Sequence, residues 1–282
     1  MKFHLATAEV YIPDNMPLDQ ALARTTHLCL AAHQDDIEIM AAQPIIECFQ
    51  QQDKWFAGVV VTDGRGSPRD DLYQDYTDDE MRLVRFKEQR KAAIIGEFAA
   101  QIMLDIPSRV IKDASRREPV DDILAILRAT RPQVVYTHNL ADKHDTHVGV
   151  ALRVIQALRK LEQAERPERL IGCEVWRALD WMIDSDKVMM DLSSHENLQA
   201  ALLGVFDSQI VGGKRYDLAS LGRRRANATY FEAHGVDETS GLSYGMDMTP
   251  LMNDLNLQPA EFVGQFVQRL AVDVQNRVNR LS

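Results

Sequence analysis

Cysteine is scarce in this chain of 282 residues: Cys29, Cys48 and Cys173 are too few and too unevenly spaced for a disulfide framework. Long apolar runs are missing too. None approaches the roughly 20 residues of a membrane helix. Near the N-terminus, Glu9, Asp14 and Asp19 interrupt any stretch that could serve as the apolar core of a secretory leader. Positive charge is in the minority, with 32 Lys+Arg against 42 Asp+Glu and a formal net charge of −10. That balance argues against a nucleic-acid backbone as the main partner, because such binding relies on clustered cations. The one basic run, Arg223-Arg224-Arg225, reads as a solvated helix face. Internal repeats, low-complexity tracts and a Gly-x-x-x-x-Gly-Lys phosphate loop are absent as well. The absences predict a soluble, cytoplasmic protein with no membrane span and no nucleic-acid partner.

What is present is ordinary in bulk, 45% hydrophobic and 26% charged, enough to fill a sizeable core. Short apolar runs alternate with segments of helical periodicity. The strand candidates are 27–33, 55–62, 102–106, 133–138, 170–176 and 187–192; the helix candidates are 37–51, 79–98, 120–129, 147–161 and 194–205. Thr77-Asp78-Asp79-Glu80 reads as the capped start of the second helix, and Ser193-Ser194 as the cap of the last. Such alternation predicts an α/β fold, a three-layer sandwich with a mostly parallel sheet. Residues 1–210 read as the catalytic core, with about the first 25 as an extension. Residues 211–258 read as loop-rich and 259–281 as a terminal helix, so 211–282 is an elaboration packed on the core and not an independent domain. Its apolar residues leave a homo-oligomer open.

Chemistry concentrates at the ends of the strand candidates, where open α/β sheets collect ligands. Ala32-His33-Gln34-Asp35-Asp36 places one imidazole and two adjacent carboxylates where the first long strand ends. Histidine and aspartate three residues apart can hold one side of a divalent cation. A histidine from His144-Asp145-Thr146-His147 completes the three-ligand open arrangement that catalytic zinc uses. Asp35, beside a ligand, is then placed to move protons. The same carboxylates could instead cap the following helix. His4, His27 and His195 read as ordinary packing or surface histidines.

Four motifs, in order over roughly residues 27–160, resemble those of the PIG-L/LmbE-like family of zinc-dependent N-deacetylases. Ala32–Asp36 is similar to its Ala-His-Pro-Asp-Asp signature and His144–His147 to its His-Pro-Asp-His motif. Thr62-Asp63-Gly64 with Gly66 resembles its glycine loop. Arg85, Glu88, Ala92 and Ile95-Gly96 resemble its Arg-x-x-Glu helix. The resemblance implies a Rossmann-like fold and hydrolysis of an N-acetyl group, usually on an amino sugar. It implies that His33, Asp36 and His147 ligate zinc or another divalent metal, and that Asp35 is the general base. It further implies that His144 stabilises the oxyanion and that Arg85 contacts substrate.

Some positions depart from the family pattern. Gln34 replaces a proline, and Asp145 and Thr146 stand where proline and aspartate are expected, so Asp142 or Asp145 is the candidate partner of His144. Ser108 and Arg109 occupy a place where an aspartate usually meets sugar hydroxyls, and Arg65 adds a cation near the site mouth. Ser108, Arg65 and Arg85 are therefore the substrate-binding candidates. With Arg69 and Arg109, the arginines hint at an anionic substrate. The expected function is metal-dependent removal of acetyl from an N-acetylated amino sugar or glycoconjugate. The rivals are a metal-dependent phosphoester or nucleoside hydrolase and a catalytically silent carbohydrate-binding protein of the same fold.

Overall fold

Leu28 and Leu30 face one apolar cluster while Cys29 and Ala31, between and beyond them, face another. This period-two alternation puts hydrophobic contacts on both faces of one central sheet. The computed structural model describes residues 1–282. In chain order the elements are β1 (Glu9–Tyr11), α1 (Leu18–Ala23), β2 (His27–Ala31), α2 (Asp36–Met40), α3 (Ala42–Cys48), β3 (Phe56–Thr62), α4 (Asp78–Ile95), β4 (Ala100–Ile106), α5 (Ser108–Lys112) and α6 (Glu118–Thr130). They continue with β5 (Val134–His138), α7 (Asp145–Arg159), β6 (Arg169–Cys173), β7 (Lys187–Asp191), α8 (Glu196–Gly204), α9 (Asp207–Ile210), α10 (Tyr216–Tyr230), β8 (Leu242–Asp247), α11 (Thr249–Asn253) and α12 (Pro259–Leu281).

The sheet order is β1-β4-β3-β2-β5-β6-β8-β7. The β4-β3-β2-β5-β6 block is parallel, and β1, β8 and β7 pair antiparallel at the flanks. This is the mostly parallel sandwich expected from the alternation, and the Rossmann-like fold that the resemblance implies. One face packs on Ile123, Ile126, Val150 and Val154 of α6 and α7. The other packs on Ile37, Met40, Ile45 and Phe86 of α2, α3 and α4. Strand order reverses between β2 and β5, the crevice where such sheets bind ligands. No helix is long and apolar enough to cross a membrane.

Three local results differ from the sequence reading. The helix expected over 37–51 is two helices, broken at Ala41 (φ −112°, ψ 25°). The cap expected from Ser193-Ser194 is absent: His195 holds that place in a left-handed conformation with no side-chain bond. The stretch after Val211 contains α10 and β8 as well as loops, and β8 lies within the sheet between β6 and β7. The weakly apolar sequence of α10 hid it: beside a few apolar contacts through Tyr216, Leu221 and Ala228, it is fastened by polar ones. Arg224, from the run that reads as a solvated face, is 4% exposed and donates to the carbonyls of Glu38 and Ile39 and to Gln199 Oε1. Only Arg225 of that run pairs at the surface, with Glu196.

Two devices bring α2 and α4 to the sheet ends. Gly58 lets α2 sit close on β3, since a Cβ there would lie 2.9 Å from Ile37 Cδ1 and 2.6 Å from Gln101 Oε1. Thr77 and Glu80 form a reciprocal capping box at the start of α4, as their spacing predicts.

Candidate metal centre and active-site cavity

Every chemical side chain of the first motif stands just past the carboxyl end of β2. The turn there is strained: Asp35 has φ +85°, unusual for a residue with a Cβ. Asp35 makes no capping bond to α2, so the helix-capping alternative does not describe it. Its carboxylate lines the cavity beside Arg85, whose Nη2 is 3.7 Å from Asp35 Oδ1.

Asp36 turns inward. His33 N–H donates to Asp36 Oδ2 at 2.8 Å, fixing the carboxylate under the turn. That oxygen lies 3.2 Å from His33 Nδ1 and 3.3 Å from His147 Nε2, and the two nitrogens are 3.2 Å apart. The His33, Asp36 and His147 donor atoms thus form a nearly equilateral triangle. A tetrahedral zinc with bonds of about 2.0–2.1 Å holds its ligand atoms about 3.3 Å apart, so the triangle matches one face of such a site. Overlapping sets, His33–His144–His147 and Asp36–His138–His147, also place one donor atom per residue within 4.8 Å of the others. His138 is already engaged: its Nε2 accepts the Ala32 N–H at 2.8 Å, which puts its own proton on Nδ1.

The electrostatics favour a cation at the triangle. Burial lowers the His33 imidazole to about 4, leaving it neutral with a free lone pair. Burial would lower His147 as well, but Asp36 and Asp142 outweigh it and hold the ring up at about 9. Asp36 is held well below the usual carboxylate range, its burial overcome by His147 and His33. Asp35 goes the other way, raised by burial and by Asp36 although Arg85 opposes the rise. Two adjacent carboxylates with affinities pushed apart is the pattern of a ligand next to a proton carrier.

The second motif sits at the start of α7. Its Asp142 serves a different ring from the one the sequence indicates. Asp142 Oδ1 accepts the His144 backbone N–H at 2.9 Å, while Oδ2 lies 3.6 Å from His147 Nδ1 and accepts the Trp176 N–H at 3.0 Å. Asp145 is exposed. The His144 ring therefore has no carboxylate partner; its Nδ1 is buried without a bond, and burial together with the His147 charge lowers it toward the neutral form. It stands edge-on to His33 at 5.2 Å and parallel to Trp176 at 6.4 Å.

The triangle opens onto a cavity of about 480 Å³, and His33, Asp35, Asp36 and His144 are among its lining residues. Arg85 and Ser108 line it too. Arg85 is also a strap, donating to the Gln34 carbonyl at 2.6 Å and the Gly64 carbonyl at 3.3 Å. Gly64 has φ +68°, and a Cβ there would fall 2.2 Å from Gln34 Oε1. Arg65, Arg69 and Arg109 are not on the wall. Arg65 pairs with Asp63 and Asp79, and Arg69 with Asp78. Lining residues that the sequence reading did not single out are Trp176, Tyr216, Lys112 and Lys214. Trp176 follows β6, and the strand-end rule could have found it; nothing local marks the others.

Comparison with known proteins agrees with the motifs. Residues 28–158 match the model of the PIG-L family, described as GlcNAc-PI de-N-acetylase. No curated protein is matched by sequence. Among solved structures, N,N'-diacetylchitobiose deacetylase from Pyrococcus horikoshii is similar at 16% identity, over 82% of this chain and 86% of that one, with a TM-score of 0.61. The conserved protein TT1542 from Thermus thermophilus is similar at 19% identity over 79% and 94%, with a TM-score of 0.59. GalB, the 4-carboxy-2-hydroxymuconate hydratase from Pseudomonas putida, is similar at 15% over 79% and 95%, also with a TM-score of 0.59. At such identities the structural likeness speaks for the fold.

Proposed function

Since residues 28–158 carry the PIG-L pattern, we propose that this chain is a zinc- or other divalent-metal-dependent amidohydrolase that removes the acetyl group from an N-acetylated amino sugar or glycoconjugate. A single observation carries the reading. The donor atoms of His33, Asp36 and His147 lie 3.2–3.3 Å from one another, and His33 and Asp36 line a cavity whose next carboxylate, Asp35, is unbonded by any helix cap. When bound there, a divalent cation supplies a Lewis acid that acidifies water and polarises an amide carbonyl.

The protein's own groups do the rest. The Asp35 carboxylate accepts the proton of the attacking water and returns it to the departing nitrogen, a task that its raised proton affinity suits. Arg85, beside it, keeps part of the Asp35 population ionised and fixes the Gln34 and Gly64 carbonyls around the turn. A ring N–H of neutral His144 donates to the developing oxyanion. Asp142 orients His147 by facing its Nδ1.

The hydratase among the structural neighbours shows that this fold hosts other reactions. The choice of an acetamide substrate rests on the family pattern. A cytoplasmic setting is consistent with three free, buried cysteines. The test is acetate release from a panel of N-acetylated amino sugars, with and without chelator. Release that chelation stops and zinc restores is expected; no release from any member, or release indifferent to chelation, rejects the reading.

A further inference from the structure

The cavity has a cationic wall that the hydrolytic chemistry does not use. Lys112, at the end of α5, and Lys214, before α10, both line it, while Asp35 and Asp36 are the only carboxylates that do. The arginines around the mouth are neutralised: Arg65 by Asp63 and Asp79, Arg69 by Asp78, Arg215 by Asp217. Lys112 and Lys214 enter no such pair, on a chain of net charge −10. Lys214 Nζ sits 5.3 Å from the centre of the Trp176 ring, and Lys143 Nζ 5.8 Å from the same ring. An aromatic face steadies an ammonium without cancelling its charge, so Lys214 is held at the wall as a cation available to a ligand. On the same lining, Ser67 Oγ is buried and has no hydrogen-bond partner. A buried hydroxyl left unbonded is costly, and a ligand oxygen would satisfy it.

We propose that this wall is a subsite for an anionic oxygen group, phosphate or carboxylate, carried by the substrate away from its acylated nitrogen. Lys112 and Lys214 are its charge contacts and Ser67 its hydroxyl contact. The inference rests on the deacetylase reading for which bond is cut, but the anion-binding event stands apart from it. Its charge selects among N-acetylated sugars before any chemistry occurs, and the field of the two unpaired lysines draws an anion in.

The test compares kcat/KM for acetate release by the zinc-supplemented protein from neutral N-acetylglucosamine, N-acetylglucosamine 6-phosphate and N-acetylmuramic acid. At least one anionic substrate is expected to exceed the neutral one by about tenfold or more, as charge-assisted contacts imply; which one does so separates phosphate from carboxylate. The ratio of anionic to neutral kcat/KM should fall by about the same factor in Lys112→Ala/Lys214→Ala and shrink with added salt. Equal rates in the unaltered protein, or a preference that survives both substitutions, overturns the subsite. A second arm needs no turnover: glucosamine 6-phosphate and glucosamine are titrated against Trp fluorescence, with Trp176→Phe identifying the reporting ring. Tighter, lysine-dependent binding of the phosphorylated sugar without acetate release from any substrate upholds the subsite and sinks the deacetylase reading. Acetate release from the neutral sugar with no anionic preference in either arm does the reverse.

Discussion

Asp35 is strained for a purpose that Asp36 does not share. Neighbours in sequence, the two carboxylates diverge because a positive φ at Asp35 sends it to the cavity while the His33 N–H pins Asp36 beneath the turn. Asp35→Asn is expected to lower acetate release by about 10²–10⁴-fold, the usual worth of a general base. Bound zinc, measured by metal analysis, should stay near the unaltered level; retained turnover would remove Asp35 from that role. Asp142→Asn should act on the metal instead. Loss of the carboxylate facing His147 Nδ1 should weaken zinc by about 10–100-fold in a competition titration. Unchanged affinity would show that Asp142 serves only the backbone of His144 and Trp176. His33 and Asp36 were legible as a pair because their spacing is local and falls at a strand end, whereas His147, 114 positions from His33, was indicated by the family resemblance. Asp142's choice of ring was not, since Asp142 and His147 face each other only once the loop between them has folded, and Trp176 arrives from another strand.

Helix α4 carries Arg85 to the site, and its start is set by sequence alone. Thr77→Ala removes one half of the capping box and is expected to cost about 1 kcal/mol, read as a lower denaturant midpoint with an unchanged slope. The N-terminal arm is held differently. His4 Nδ1 lies 2.7 Å from Asp122 Oδ1 of α6, and that bond raises the His4 imidazole above its ordinary value. A group raised on folding stabilises fully below its unfolded value and loses that contribution as pH climbs through the folded one. The thermal midpoint gap between the unaltered protein and His4→Ala should therefore be widest below the unperturbed value of about 6.5 and narrow as pH rises above it. A gap independent of pH would assign the pairing no thermodynamic role. At this scale β2 to β7 and the helices α4, α6, α7, α8 and α12 were readable from apolar period, with small shifts at their ends, whereas β1 and β8 were not. The break at Ala41 and the helix α10 were not, because one is a local backbone adjustment and the other is fastened by Arg224 to carbonyls of α2.

For the molecule as a whole, the segment after Val211 belongs to the sheet as much as to the surface. β8 hydrogen-bonds to β6 on one side and β7 on the other, and Tyr244 and Met246 are buried in the main core. Buried Glu174 ties it further, accepting from the Leu179 and Tyr244 N–H groups, Ser243 Oγ and Asn227 Nδ2. A chain ending at residue 210 would leave β6 an open edge and strip Arg224 from α2, so it should fail to fold cooperatively by circular dichroism and thermal melting. A chain ending at 271 loses only the outer turns of α12, where Val274, Val278 and Leu281 are 50–78% exposed, and should melt as a folded protein. Cooperative melting of the chain cut at 210 would show that the core is autonomous.

The order of residues by itself determined the alternation of strand and helix, the family pattern and, in His33 and Asp36, one side of the candidate metal site. All of these are written in spacings of a few residues, which backbone geometry converts directly into shared faces and strand ends. Which cations reach the cavity, which carboxylate faces which ring, and where β8 inserts were decided only by tertiary structure. Each depends on segments far apart in sequence coming together, as Arg224 and Glu38 do over 186 positions, and short-range periodicity carries no record of such meetings.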